Sequence, residues 1–357
     1  RRGSGREGGK GVMEEKKLFK VSSNPLVRTK RDTTSIMLDV IIALIPTLAV
    51  GTYMFGIKVV LLLAVSVFSC VFFEWGYRKL LKKPQSVGDL SAVVTGFLLT
   101  CVLPSNATWW MCVIGSFFAI VVVKQLYGGI GKNFLNPALA GRAFLTAGYA
   151  ALMTSWAVPT VLSGVVDGTT MATPLSFLKA GEALPEYFTY GSLFLGGIPG
   201  SIGEVSALAI LIGAAYLLIR KVITWRVPTA FIGTVAVLCL IFGKEGYGRI
   251  DWTVYNLLSG GLLLGAFFMA TDYSTSPVTL RGQLIFGAGC GALTVLIRYF
   301  GSYPEGVSYA ILIMNCCTWA VDRVTRPRQF GMTAEDAKAA KQAKKEAKKK
   351  EKGAASA

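Results

Sequence analysis

Apolar residues fill the middle of the chain in long blocks separated by short polar, often basic, links. A bilayer core of about 30 Å takes roughly 20 apolar residues of helix. Ten blocks come close to that length: 35–56, 57–76, 88–104, 109–127, 136–157, 202–220, 227–243, 252–271, 282–300 and 305–321. The third is short and ends at Pro104, so it reads as a broken or re-entrant helix. The pattern predicts an all-α polytopic membrane protein of about ten transmembrane helices. Its segments are a basic N-terminal lead (1–34), a first membrane unit (35–157), a loop (158–201), a second membrane unit (202–321) and a Lys/Ala-rich tail (322–357).

Composition agrees. Of 357 residues, 53% are hydrophobic and 16% charged, against roughly 25% charged in a soluble domain, which argues against a soluble enzyme. The formal net charge of +17 sits largely in the two tails. In a soluble protein such a charge suggests nucleic acid; here it follows the rule that cytoplasmic loops collect Lys and Arg. The lead has Lys16, Lys17, Lys20, Arg28, Lys30 and Arg31, and the link after the second block has Arg78, Lys79, Lys82 and Lys83. Arg220, Lys221 and Arg226 follow the sixth, and Arg323, Arg326 and Arg328 follow the tenth. The alternate links are poorer in cations. Both termini are therefore expected in the cytoplasm of a bacterial cell, with loop 158–201 outside the inner membrane.

No cleavable signal peptide is visible, and residues 1–12, ahead of Met13, read as an upstream extension. The Ala/Lys/Glu tail reads as a solvated, partly helical extension, or as a weak ligand for anionic lipid. The chain has no histidine, and its seven cysteines lie in apolar blocks without a C-x-x-C pair. Haem, zinc and iron–sulfur ligation is not expected.

Two segments align at a constant offset of 172 residues, with Gly115, Val123, Tyr127, Gly129 and Ala138 matching Gly287, Val295, Tyr299, Gly301 and Ala310. The offset maps blocks four and five onto nine and ten. Two five-helix units follow, the second inverted because five is odd. Such repeats place sites at their interface, often on interrupted helices.

The loop 158–201 contains Val166-Asp167-Gly168-Thr169-Thr170-Met171-Ala172-Thr173-Pro174-Leu175. Pro174 suits the first position of a helix and biases Thr173 toward an extended backbone. Thr173 is thus the expected N-cap of a short helix over 174–180. A phosphate on its hydroxyl would lie where free N–H groups favour an anion. On the local pattern alone the stretch reads as an ordinary capped turn, with the phosphate site as the alternative.

Thr170-x-Ala172-Thr173 followed by Pro174-Leu175 resembles the (S/T)-G-A-T flavinylation motif. The surrounding sequence resembles the D subunits of the Rnf complex, the ion-translocating ferredoxin:NAD oxidoreductase, and more distantly the B subunits of the sodium-pumping NADH:quinone reductase. The resemblance runs from about Met13 to Phe330. It includes VSSNPLVRTKRDTTSIMLDVIIALIP, GGIGKNFLNPALAGRAFL at 128–145, FMATDYSTSPVTLRGQLIFGAGCG at 268–291 and YPEGVSYAILIMN at 303–315. It implies covalent FMN, held through a phosphoester on Thr173, with Thr170 as the fallback and Ala172 and Pro174 as the intact half of the motif. Met171 stands where the motif has glycine. The resemblance also implies non-covalent riboflavin, for which Asn136, Pro137 and Arg142 are candidate lining residues. Implied partners are the flavoprotein, iron–sulfur and membrane subunits of such a complex; nucleic acid is not among them. A flavin takes two electrons and passes them singly, so it connects one-electron and two-electron partners. No nucleotide-binding glycine fingerprint is present, so NAD and ferredoxin are expected to meet other subunits.

Ionisable residues inside membrane helices are costly and default to a functional reading. Asp39, Glu74, Arg142 and Asp272 all fall toward the cytoplasmic half of the expected topology. Asp272 with Thr271 and Ser274 offers oxygen ligands for Na⁺ or H⁺ transport, with Glu74 and Asp39 as further candidates for the ion path. The competing readings are a capping or interfacial role for Asp272 and Glu74, a basic partner for Asp39, and a snorkelling Arg142. Two other functions stay open: a cofactor-free channel or solute transporter, and the quinone-reducing relative, whose N-terminal segment is longer.

Overall fold

The computed structural model describes residues 32–162, 169–243 and 246–327. The basic lead, the Val166–Gly168 part of the flavin-motif loop and the Lys-rich tail from Arg328 lie outside the described residues.

The described chain is helical, apart from two isolated β-bridges. In order come α1 (Thr33–Phe55), α2 (Lys58–Leu80), α3 (Ser91–Val102), α4 (Trp109–Gln125) and α5 (Pro137–Gly148). The short α6 (Pro174–Ala180) and α7 (Tyr190–Leu195) follow, then α8 (Ala207–Ile219) and α9 (Arg226–Ile241). The last are α10 (Arg249–Leu258), α11 (Leu262–Met269), α12 (Leu280–Phe300) and α13 (Val307–Thr325).

Each of the ten apolar blocks holds helix, but helix length divides them. Among the described residues α1, α2 and α12 are each long and apolar enough to cross a membrane, and α10 with α11 makes a fourth candidate, bent by 60°. Three of the others are shortened for local reasons. The 12 residues of α3 reach only about 18 Å at 1.5 Å per residue, because Leu103 turns extended ahead of Pro104. The block expected over 136–157 stops at Tyr149 and resumes for one turn, Ala150–Met153. That expected over 202–220 begins only at Ala207, where Ser206 accepts the Ala209 N–H at 3.3 Å as N-cap. Ahead of it, Pro104 and Ser201 form a bridge, and the Ile202 N–H donates to Leu103 O at 3.0 Å.

Glycines allow the helices to approach closely, as is usual where apolar packing alone cannot drive association. A Cβ on Gly213 of α8 would lie 2.1 Å from Ala43 O on α1, and one on Gly287 of α12 would lie 2.6 Å from Val227 O on α9. Side-chain bonds sort the links into two ends. Thr160 Oγ1 donates to Tyr53 O at 3.3 Å, and Lys179 donates to Gly301 O, both at the end holding residues 154–162 and 169–204. At the other end Thr34 donates to Gly88 O at 3.2 Å, and the Val278 N–H donates to Asp322 at 3.2 Å.

Three ion pairs tie the described helices together. Lys124 of α4 meets Glu74 of α2 at 2.8 Å, both buried, and also donates to Ser91 of α3 at 2.6 Å. Ser86 adds a hydrogen bond to Glu74 at 2.5 Å. Lys124 lies in the stretch Phe118–Gln125, wound as π-helix, a form that recurs at functional sites. Asp39 of α1 meets Arg220 at 3.2 Å and accepts from Tyr216 at 2.9 Å. Arg142 pairs with Glu305.

The break between α10 and α11 spans Ser259–Gly261, and Gly260 and Gly261 adopt φ of +73° and +63°. A Cβ on Gly260 would stand 2.0 Å from Leu175 Cδ1 of α6. Gly260→Ala therefore combines the left-handed penalty of about 1–2 kcal/mol with a clash. It is expected to lower the thermal midpoint in detergent, whereas Gly233→Ala, where a Cβ would have nothing within 4 Å, should leave it unchanged. A second test concerns the buried pair. Lys124→Met alone leaves Glu74 charged and unpaired, a loss of about 3–5 kcal/mol. The double variant Lys124→Met with Glu74→Gln should regain most of that stability in the same melting assay.

Candidate functional site

The expected cap is present. Thr173 has an extended backbone, accepts the Ser176 N–H at 3.3 Å and starts a helix over Pro174–Ala180 with proline at its first turn. Its Oγ1 also lies 3.0 Å from Ser176 Oγ. The chain ahead of it is held extended: Ala157 and Thr170 form a bridge, and the Met171 N–H donates to Trp156 O at 3.0 Å. Met171 is not among the residues with positive φ, so its backbone does not require glycine there. Its side chain packs on the cluster of Phe188, Leu193 and Ile198.

Beside this segment lies a cavity of about 510 Å³. Its walls include Thr170, Ala172 and Ser176, on either side of Thr173 in sequence, together with Arg142, Trp156 and Tyr309. Thr173 itself is buried at 4% exposure, while Thr170 is exposed. Arg142 holds Glu305 and donates to Ser308 at 3.3 Å. A cavity of several hundred cubic ångströms with aromatic walls and a few polar groups is the usual form of a cofactor site, and this one offers aromatic side chains for a flat ring and a guanidinium for negative charge, with buried Thr173 next in sequence to its wall residue Ala172. On the same helix as Thr173, partial burial lowers the pKa of Lys179.

The second chamber is at the opposite end, with a volume of about 630 Å³. Asn136, Pro137, Lys124 and Asp272 line it. Asn136 joins two helix ends: its Oδ1 accepts the Ala138 N–H at 3.1 Å at the start of α5, and its Nδ2 donates to Met269 O at 3.2 Å at the end of α11. The Asp272 carboxylate accepts from Ser274 at 3.3 Å and Thr275 at 3.2 Å, and among the described residues no cation pairs with it.

The structure regroups the expected residues. Arg142 does not join Asn136 and Pro137; it lies about one and a half helical turns farther along α5 and lines the first cavity, with the Thr170–Ser176 segment. It therefore belongs to the end opposite the one expected for it. Asp272 and Asn136, expected in different roles, share one chamber. Asp39 and Glu74 are each engaged by a basic residue, and Asp272 is engaged by the hydroxyls of Ser274 and Thr275.

Sequence reasoning missed four ionisable groups: the buried Lys124, Glu204 and Arg298, and the half-buried Glu305. Arg298 donates to Asn256 O at 2.6 Å and to Ser259 O at 3.1 Å, on the carbonyl side of the helix break. Glu204 stands on the other side: a Cβ on Gly261 would lie 2.8 Å from its Oε2. All four fall inside or next to apolar blocks, and that position was the available signal.

Comparison with known proteins gives a consistent result. The chain is 50% identical over 317 residues to the D subunit of the Na(+)-translocating ferredoxin:NAD(+) oxidoreductase complex of Acetobacterium woodii, covering 88% of this chain and 95% of that one. It is 41% identical over 324 residues to the D subunit of the proton-translocating ferredoxin:NAD(+) oxidoreductase complex of Clostridium ljungdahlii, covering 89% and 97%. It is 39% identical over 326 residues to the D subunit of the ion-translocating oxidoreductase complex of Stutzerimonas stutzeri, covering 84% and 92%. The sequence pattern of the NQR2, RnfD, RnfE family matches residues 20–331, and with its apolar helices the chain belongs to this family of multi-pass membrane proteins.

Proposed function

We propose that the chain is the D-type membrane component of an ion-translocating ferredoxin:NAD⁺ oxidoreductase complex and carries FMN esterified to Thr173. The observation that supports this reading is the cavity whose walls join Ala172 and Ser176, on either side of Thr173 in sequence, with Arg142. The identity to complex subunits of that name over almost their whole length supports the assembly, and with it the flavoprotein, iron–sulfur and membrane subunits as partners.

When bound, the flavin supplies one- and two-electron chemistry at this end of the bundle. The protein's own residues hold and tune it. Thr173 is a tether, and attachment replaces its hydroxyl contact with Ser176. Trp156 and Tyr309 offer flat faces, and Arg142 offers positive charge while Glu305 keeps the guanidinium in place. Riboflavin, as a second and non-covalent flavin, belongs in this reading with Asn136 and Pro137 in the larger chamber, away from Arg142. Asp272 in that chamber is the carboxylate for Na⁺ or H⁺; Glu74 and Asp39 serve instead to hold helices.

The ten-span bundle of two inverted five-helix units is part of the proposal. In its support, the 172-residue offset carries 109–125 to 281–297, within α12, and 137–148 to 309–320, within α13. Both ends of the described chain also lie at one face, since Thr33 and Asp322 line the same chamber. The lysines and arginines after α2, α8 and α13 support assigning that face to the cytoplasmic side of the bacterial inner membrane, with Thr173 outside.

Two substitutions test the reading. Thr173→Ala is expected to remove covalent flavin fluorescence from the protein on a denaturing gel, with Thr170→Ala retaining it; fluorescence retained in Thr173→Ala moves the attachment elsewhere. Asp272→Ala is expected to abolish ion uptake by vesicles containing the complex while leaving the covalent fluorescence intact. Uptake at the unsubstituted rate would remove Asp272 from the path.

A further inference from the structure

Thr173, the proposed tether, is closed off in the structure. It is 4% exposed, and while Ala172 and Ser176 are wall residues of the first cavity, Thr173 is not among them. Its hydroxyl is also engaged: Oγ1 accepts the Ser176 N–H at 3.3 Å and lies 3.0 Å from Ser176 Oγ. The chain is pinned on both sides of it. Ahead, the Met171 N–H donates to Trp156 O at 3.0 Å and the Val158 N–H to Thr169 O at 3.3 Å, and Met171 packs on Phe188, Leu193 and Ile198. Behind, Pro174, Leu175 and Leu178 of α6 are buried.

Esterification asks for the opposite. Oγ1 must bond to the phosphorus of a flavin phosphoanhydride, the anhydride P–O bond must break, a nucleoside monophosphate must leave, and the hydroxyl proton must pass to a base. Attacking and leaving oxygens stand roughly in line, and the base must come within hydrogen-bond reach of the hydroxyl. Ser176 Oγ is itself a hydroxyl and is no base for that proton. The base therefore belongs to a second protein, a flavin transferase, which must reach Oγ1 from outside. Rotating the Thr173 side chain does not open that approach, because the whole residue is buried and a rotation only exchanges one covered position for another.

We infer that the flavin is attached in an opened conformer, in which residues 169–173 have left Trp156–Val158 and the cap on α6 is broken, and that the docked arrangement is a closed form that a transferase does not modify. Attachment thus precedes docking of this segment. The inference rests on Thr173 as the attachment site.

The test is the rate of flavin loading on the purified, full-length, flavin-free chain in detergent, supplied with a flavin transferase and a flavin dinucleotide, and read as covalent fluorescence on a denaturing gel. Ala157 and Thr170 face each other in the bridge. The bonds on either side make them a non-hydrogen-bonded pair, whose Cα atoms stand about 4.5 Å apart, within reach of a disulfide. The double variant Ala157→Cys with Thr170→Cys is expected to load when reduced and roughly tenfold more slowly when oxidised, because the crosslink holds the segment closed. Leu178→Ala loosens α6 and is expected to load roughly tenfold faster than the unsubstituted chain. Equal rates in the oxidised and reduced forms overturn the inference and leave the attachment site standing. If the reduced double variant takes no flavin, Leu178→Ala decides, and a rate equal to that of the unsubstituted chain overturns the inference. An unsubstituted chain that takes no flavin on Thr173 overturns the attachment itself, and the inference with it.

Discussion

A helix that stops and restarts inside an apolar bundle leaves carbonyls at one broken end and N–H groups at the other, with no water to receive them. The gap at Ser259–Gly261 is this constraint, and much of the interior is arranged around it. Arg298 of α12 donates to the carbonyls that end α10, where the helix dipole favours a cation. Glu204, from the turn before α8, stands by the start of α11, where the dipole favours an anion. The two glycines adopt the left-handed backbone that the bend needs. Without a side chain at Gly260, Leu175 can pack against the break, and Leu175 follows Thr173 by two residues. The position of the candidate tether is thus fixed by the bend beneath it.

The same bend separates two chambers of different character. One has aromatic walls, Arg142 and the Thr170–Ser176 segment; the other has Asn136, Lys124 and Asp272. Asn136 bonds the far end of α11 to the start of α5, and Arg142 on that α5 reaches the first chamber. A single short helix therefore connects groups at both.

Much of this was legible in the sequence. Proline after threonine predicted the cap at Thr173 and the bounds of α6, because both residues restrict the backbone locally. The apolar blocks predicted helices at the right places, and Pro104 predicted the early end of α3. What depended on tertiary contact was not legible. Nothing local places Arg142 with Glu305, 163 residues away, rather than with Asn136 on the same helix. Lys124 falls near the end of the fourth apolar block and is buried against Glu74. Glu204 lies among glycines and serines and Arg298 near the end of the ninth block, and nothing local names their partners. Span lengths were overestimated where polar contacts, such as the Ser206 cap and the bridge between Pro104 and Ser201, stop a helix inside an apolar run.

The central claim is a flavin covalently bound to this chain at residue 173. Intact-mass spectrometry of the protein isolated from its assembled complex addresses it most directly. The account predicts a mass above that of the polypeptide by one FMN less one water, with the added mass retained on the peptide that contains Ala172-Thr173-Pro174. The bare polypeptide mass would contradict it.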